Sequence, residues 1–141
     1  MEEQVFELVN QYRVSQNIQA LTIDHRISQQ AREHSRAMAN KQVLVGHYGF
    51  DLRVNRISTF LLLRAIAENV AYHQGRSNCA QRAVQGWLDS SEHRKTIEGD
   101  YRKTGVGIAR DLNGGYYLTQ IFCKEGRLIP RVINKIEGVN Q

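Results

Sequence analysis

Apolar residues recur every three or four positions in the first half of the chain, which predicts amphipathic helices there. A first helix from Val5 would bury one face, formed by Val5, Leu8, Val9 and Tyr12. Asp24 is the expected N-cap of a second helix. The apolar face of that helix contains Ile27, Ala31, His34 and Met38. His34 therefore faces the core, where a histidine is more often hydrogen-bonded than a ligand.

A helix after Ser77 has the strongest apolar stripe in the sequence. Ser77 is its expected N-cap, and the stripe consists of Ala80, Ala83, Val84, Trp87 and Leu88. Trp87 is expected in the core. Ser90 and Ser91 end this helix and can cap a short helix that stops at Gly99. Residues 51–64 fit a short helix and an extended run about equally well.

After Tyr101 the pattern changes to the alternation of β-strands. Val106 and Ile108 alternate with small residues, and residues 116–122 are rich in aromatic and β-branched side chains. The Asn113-Gly114 pair between the two runs predicts a hairpin turn. Helices followed by a hairpin predict an α+β fold, with helices covering an antiparallel sheet.

Composition is that of one folded domain. The chain has 141 residues, of which 41% are hydrophobic and 23% are charged, and it contains one proline. No apolar run approaches the roughly 18 residues that span a bilayer, so the chain is not expected to be transmembrane. The N-terminus, Met1-Glu2-Glu3, carries no signal-peptide pattern. The net charge of +5 comes from arginines spread along the chain, so specific nucleic-acid binding is not expected.

Four further positions have predictions of their own. Cys79 and Cys123 can pair only if the fold brings them together. Asn69 is expected to hydrogen-bond to backbone. His47 lies between Gly46 and Gly49, where the two glycines favour a sharply turning loop.

Six short motifs follow one another in a fixed order. They are AREHSRAMA (31–39), GH (46–47), AENVA (67–71), WLDSSEHR (87–94), GVG (105–107) and YLTQIF (117–122). Together they resemble the CAP superfamily, the SCP-like extracellular proteins that include the cysteine-rich secretory, antigen 5 and pathogenesis-related proteins. The W-x-x-S-x-x-H-R form is similar to the bacterial branch.

The resemblance implies an α-β-α sandwich, with a CAP domain over residues 1–125 and a C-terminal tail over 126–141. It also implies a cleft with two histidines and two acidic residues, which in some members bind a divalent metal. His47 and Glu68 match one residue of each type. Ser90 stands where the family has its second glutamate and Tyr117 where it has its second histidine. His93 is the histidine found in bacterial members.

The resulting cleft set is His47, Glu68, Ser90, His93 and Tyr117. Two imidazoles and a carboxylate, from His47, His93 and Glu68, form a tentative zinc-type set. No cofactor is required, and weak binding of zinc or another divalent metal is the most that these donors predict.

The resemblance implies, as the leading hypothesis, a secreted or envelope-associated module that binds a small ligand, a lipid or a wall component. The alternative is a metal-dependent hydrolase in which His47 and His93 hold zinc and Glu68 is a ligand or general base. A serine hydrolase using Ser90, His93 and Glu68 would lack a nucleophile-elbow signature.

Overall fold

Five helices and four strands lie in residues 1–126, the part of the chain that the computed structural model describes. In chain order they are α1 (Glu2–Ser15), β1 (Thr22–Ile23), α2 (His25–Ala39), α3 (Phe50–Ser58), β2 (Leu63–Gln74), α4 (Cys79–Asp89), α5 (Ser91–Ile97), β3 (Lys103–Arg110) and β4 (Gly115–Glu125). The predicted tail lies outside the described residues except for Gly126, so its boundary stays a prediction.

The strands form one sheet in the order β1-β3-β4-β2. The predicted hairpin is confirmed, with β3 and β4 antiparallel and Asp111 N–H bonded to the Gly115 carbonyl at 2.9 Å. On the other side of β4 the edge strand β2 also pairs antiparallel, and Glu68 lies opposite Ile121. The two-residue β1 pairs parallel with β3. The sequence pattern had not indicated β1 or β2.

Helices cover both faces of the sheet, as the α-β-α sandwich requires. On one face α1 and α4 pack against β3 and β4, with a core that includes Val5, Val9, Ala83, Trp87, Leu118 and Phe122. On the other face α2 and α3 pack over Ile121 and Cys123. Trp87 is 2% exposed and its indole N–H donates to the Val70 carbonyl at 3.0 Å, so its predicted core position is confirmed.

Two glycines allow α2 to lie directly on β3. A Cβ atom at Gly107 would be 2.0 Å from the Arg32 amide nitrogen, and one at Gly105 would be 2.2 Å from that of Ser28. The two glycines of the GVG motif are therefore required by close packing of backbone on backbone. Val106, between them, faces the opposite core.

The structure confirms one predicted helix N-cap and contradicts another. The Asp24 carboxylate accepts a hydrogen bond from Arg26 N–H at 2.9 Å, which confirms the predicted cap of α2. The prediction of Ser77 as the cap of α4 is wrong. Asn78 holds that position in the left-handed conformation, with φ of 52°, and makes no side-chain cap bond. Asparagine adopts this conformation more readily than most residues.

The ambiguous segment 51–64 contains both kinds of structure, because α3 ends at Ser58 and β2 begins at Leu63. Cys79 and Cys123 are buried and unpaired with each other. Burial raises the pKa of the Cys123 thiol to about 12. Within residues 1–126, no helix is both long and apolar enough to cross a membrane.

Candidate functional site

The loop between α2 and α3 presents His47 to solvent. Gly46 and Gly49 on either side of it have φ of 149° and 79°, values that other residues rarely adopt. Gly49 is also the N-cap of α3, so the chain turns sharply into that helix. The His47 side chain is 53% exposed.

Glu68, on β2, lies beneath this loop with only 1% of its side chain exposed. Arg53 of α3 binds it with two hydrogen bonds, from Nε to Oε2 and from Nη2 to Oε1, both of 2.7 Å. Arg53 is itself buried. A buried carboxylate is stable only when its charge is paired and hydrogen-bonded, and the arginine fork provides both.

The same carboxylate orients His47. His47 Nδ1 lies 2.9 Å from Glu68 Oε1, and a carboxylate paired with arginine can only accept, so Nδ1 carries the proton. In the neutral ring the other nitrogen, Nε2, then has a free lone pair. Because the ring is half exposed, Nε2 is a hydrogen-bond acceptor at the surface of the protein.

His34 of α2 lies behind Arg53 and completes the cluster. Arg53 Nη1 donates to His34 Nδ1 at 3.1 Å, so His34 Nε2 carries the proton and donates to the Gly46 carbonyl at 2.6 Å. Burial, together with the nearby Arg53 charge, lowers the pKa of His34 and favours this neutral form. The prediction of a hydrogen-bonded core histidine is confirmed. Through this bond α2 holds the loop that carries His47.

Ser90 and His93 form a separate pair at the start of α5. Ser90 Oγ and His93 Nδ1 lie 2.8 Å apart. Asn69, next to Glu68 on β2, donates to the His93 backbone carbonyl at 3.1 Å, which confirms its predicted bond to backbone. Successive side chains on a strand point to opposite faces. The His47–Glu68 pair and the Ser90–His93 pair are therefore anchored to opposite faces of β2.

Tyr117 lies in a third environment. It is 2% exposed and packs with Met38 and Ala39 of α2. Its hydroxyl donates to Asp111 Oδ2 at 2.9 Å. Tyr117 is four residues along β4 from the position opposite Glu68, which is about 13 Å at the usual strand rise.

The donor set does not fit a three-ligand zinc centre. Both Glu68 oxygens are used by Arg53, one of them also by His47, and a guanidinium beside the site opposes a dication. Among residues 1–126, no group of three or more His, Cys, Asp or Glu side chains is placed to hold a metal ion. Metal binding by His47, His93 and Glu68 stays a prediction, which a zinc titration tests.

Sequence reasoning did not identify Arg53 as part of the site. A signal was available, since Arg53 precedes the buried Ile57 and Leu61 by four and eight residues and so shares their helical face. An arginine on such a face, in a chain that also buries a glutamate, indicates an ion pair.

Comparison with known proteins identifies the family. The family model described as "CAP: Cysteine-rich secretory protein family" matches residues 6–122. The chain belongs to the CAP family. The match spans every residue of the His34, His47, Arg53 and Glu68 cluster, so this cluster lies within the CAP domain.

Several relatives of this CAP domain come from bacteria. It is 31% identical over 127 residues to "Uncharacterized membrane protein YlbC" of Bacillus subtilis, and it spans about a third of that protein's length, 34%, using 87% of its own. An extracellular protein with an SCP domain from Bacillus anthracis has a TM-score of 0.72 at 26% identity, covering 88% of this chain and 40% of that one. An outer surface protein from Borrelia burgdorferi has a TM-score of 0.73 at 18% identity, covering 88% and 92%.

Proposed function

We propose that this CAP domain works outside the cytoplasm as a ligand-binding module, and that His47 Nε2 is its ligand-facing group. The observation that carries the proposal is the contact of 2.9 Å between the exposed His47 ring and the buried Glu68 carboxylate. A histidine held through Nδ1 by a carboxylate has its tautomer fixed and its Nε2 oriented, which a free histidine does not. Such a nitrogen accepts a hydrogen bond from a hydroxyl or an amide N–H.

The loop around His47 adds apolar surface to this acceptor. Val45 is 53% exposed and Tyr48 74%, so two apolar side chains lie on the surface close to His47 in the sequence. A ligand with a hydrogen-bond donor beside an apolar portion matches this combination. Envelope lipids and wall fragments both have that character, in agreement with the ligand classes that the sequence predicts.

An extracytoplasmic location is supported by the relatives, of which one is called an extracellular protein and another an outer surface protein. The curated relative is called a membrane protein and extends well beyond the matched region. Envelope association is therefore the location that we propose for this chain too.

The alternative, a metal-dependent hydrolase, has less support. Glu68 is held by Arg53 and is not free to act as a metal ligand or as a general base toward water. The Ser90–His93 pair lacks an acid, since no described carboxylate is bonded to His93 and Glu68 is bonded to His47. Zinc titration by calorimetry at neutral pH tests this alternative, and nanomolar binding that is lost in His47→Ala would favour it over our proposal.

The ligand proposal is tested by nuclear magnetic resonance with histidine side chains labelled. Soluble muropeptides and a short-chain phospholipid below its micelle concentration are titrated separately. We expect one of the two to shift the His47 ring signals in a saturable way. His47→Ala should weaken binding by about tenfold or more, as expected for loss of one good hydrogen bond to a ligand.

The matched control is His25→Ala, which removes another exposed histidine at the start of α2, outside the cluster. It should leave binding unchanged. Saturable binding that leaves the His47 signals unmoved, or that His47→Ala does not weaken, would contradict the proposal. So would the absence of binding to both probes.

A further inference from the structure

One end of the sandwich carries exposed apolar side chains that the His47 site does not use. We call it the hairpin-end surface and define it by Leu44, Tyr72, Leu112, Arg76 and Arg110. Leu112, in the β3–β4 turn, is 101% exposed, Leu44 is 88% and Tyr72 is 44%. Scattered single apolar residues need no explanation, but a group at one end of a molecule marks an interaction surface.

Specific contacts bring these residues together. Lys41, three residues before Leu44, bonds to the Tyr117 hydroxyl and lies 3.5 Å from Asp111, which precedes Leu112. The Tyr72 ring packs against the Tyr117 ring with centroids 5.0 Å apart. Gly75 N–H donates to the Gly114 carbonyl at 2.9 Å, so the end of β2 meets the hairpin turn.

Basic side chains outnumber acidic ones around these apolar residues, where Arg76 and Arg110 line a groove with Glu2 and Glu3 and Glu2 is paired with Arg32. Arg76 follows β2 and Arg110 ends β3, both are exposed, and neither has an ion pair among the described residues. The Asp111 carboxylate is compensated by Lys41 and accepts backbone N–H bonds from Asn113 and Gly115. Hydrogen bonds from Gly115 and Tyr117 are the main causes that lower its pKa to about 2. Asp111 is compensated by Lys41 and Glu2 by Arg32, so the two arginines outnumber the remaining carboxylate, that of Glu3, and the rim keeps a positive charge.

We infer that the hairpin-end surface docks onto an anionic lipid bilayer. Leucines on protruding turns enter the boundary between headgroups and acyl chains, where burial of apolar area is favourable. Tyr72 has the amphipathic ring that is enriched at that depth. Arginines at the rim are attracted to an anionic surface. Leu44 belongs to the α2–α3 loop that also carries His47, so docking at this end brings that loop to the membrane surface.

Cosedimentation with vesicles tests the inference. The chain is mixed with phosphatidylcholine vesicles, with and without phosphatidylglycerol, at low and high salt. We expect binding to the anionic vesicles that weakens with salt. Leu44→Asp/Leu112→Asp should lower it by about tenfold or more. Arg76→Gln and Arg110→Gln should each lower it by about fivefold.

Controls use exposed residues elsewhere on the molecule. Leu62→Asp and Val14→Asp alter leucine and valine side chains that are 52% and 59% exposed, away from this end, and should bind like the wild type. Arg110→Gln, at the end of β3, should leave the ligand-induced shifts of the His47 ring unchanged, so failure of this inference and failure of the proposed function are distinguishable. Thermal unfolding of each variant checks the fold.

Three outcomes would overturn the inference. They are no binding to the anionic vesicles, equal binding to neutral and anionic vesicles, and an equal loss in the control and hairpin-end variants. Light scattering in the absence of lipid adds a fourth, because self-association that Leu44→Asp/Leu112→Asp abolishes would assign the surface to a second copy of the chain.

Discussion

Arg53 and Glu68 form an ion pair that is almost sealed from water, so the free energy of each charge depends on the other. The guanidinium also donates to His34 and to the Tyr48 carbonyl, at 3.1 and 2.8 Å, which fixes the α2–α3 loop against α3. Removing one partner leaves the other as an uncompensated buried charge. Replacing both with apolar residues removes that penalty.

We therefore predict that Arg53→Met lowers the free energy of unfolding by about 3 to 5 kcal/mol. The double variant Arg53→Met/Glu68→Leu should recover at least about 2 kcal/mol of that loss. Urea denaturation measures both. A double variant no more stable than Arg53→Met alone would contradict the predicted penalty for leaving Glu68 buried without its partner.

Replacing Trp87 tests the packing of the core on the face of the sheet opposite the Arg53–Glu68 pair. Its ring is 2% exposed and its N–H has a backbone partner on β2. Trp87→Ala should cost about 3 to 5 kcal/mol in the free energy of unfolding. Chemical denaturation that gives a loss under about 1 kcal/mol would be inconsistent with this core position.

The close contact of α2 with β3 depends on glycine at two positions of the GVG motif. A methyl group at Gly107 would overlap the backbone of Arg32, with its Cβ 2.0 Å from N and 2.3 Å from Cα. Backbone atoms cannot rotate away as a side chain can, so the helix as a whole must move.

Gly107→Ala should therefore destabilise the protein by about 3 kcal/mol or more. Gly86→Ala is the matched control, because an added Cβ there meets nothing within 4 Å and Gly86 lies inside α4. It should stabilise the protein by about 0.5 to 1 kcal/mol. Thermal unfolding of the two variants gives the comparison, and similar effects from both would argue against the backbone contact.

Local patterns predicted the elements whose apolar faces are regular. These are α1, α2, α4, α5 and the β3–β4 hairpin. The edge strand β2 was missed because Ala65, Ala67 and Ala71 are weak strand formers and it is covered on both sides, so polar and apolar residues do not alternate cleanly. The two residues of β1 form a strand only through pairing with β3, about 80 residues later, which no local window detects.

In the candidate site, as in the fold, local motifs were informative, but the parts whose position depends on tertiary structure were not predictable from them. Motif resemblance identified His47 and Glu68, and their hydrogen bond is present. It grouped Ser90, His93 and Tyr117 with them, but these positions approach the sheet from another face or another end. Spacing along the chain does not specify the face of β2 to which a residue is anchored.

Stability of the whole molecule should depend on the protonation of His34. Burial lowers the pKa of this imidazole in the folded state below its usual value of about 6.5. Below that pH the unfolded chain binds more protons than the folded one. The contribution of His34 to stability is therefore complete above about pH 6.5 and is lost as pH falls toward the folded pKa.

The free energy of unfolding should fall between pH 7 and pH 5, with His34 contributing at most about 1.4 kcal/mol per pH unit. His34→Gln should flatten this part of the profile, while His25→Gln, at an exposed position, should leave it unchanged. Urea titrations at several pH values measure the profile. Parallel profiles for the wild type and His34→Gln would show that His34 is not the source of the pH dependence.

The central claim is that Glu68 holds His47 with its proton on Nδ1 and leaves Nε2 free for a ligand. Long-range proton–nitrogen spectra of the histidine rings, recorded at about pH 8, report the tautomer of each ring directly. We predict the Nδ1–H form for His47 and the Nε2–H form for His34, which donates to Gly46 instead. A His47 ring found mainly in the Nε2–H form would contradict the account.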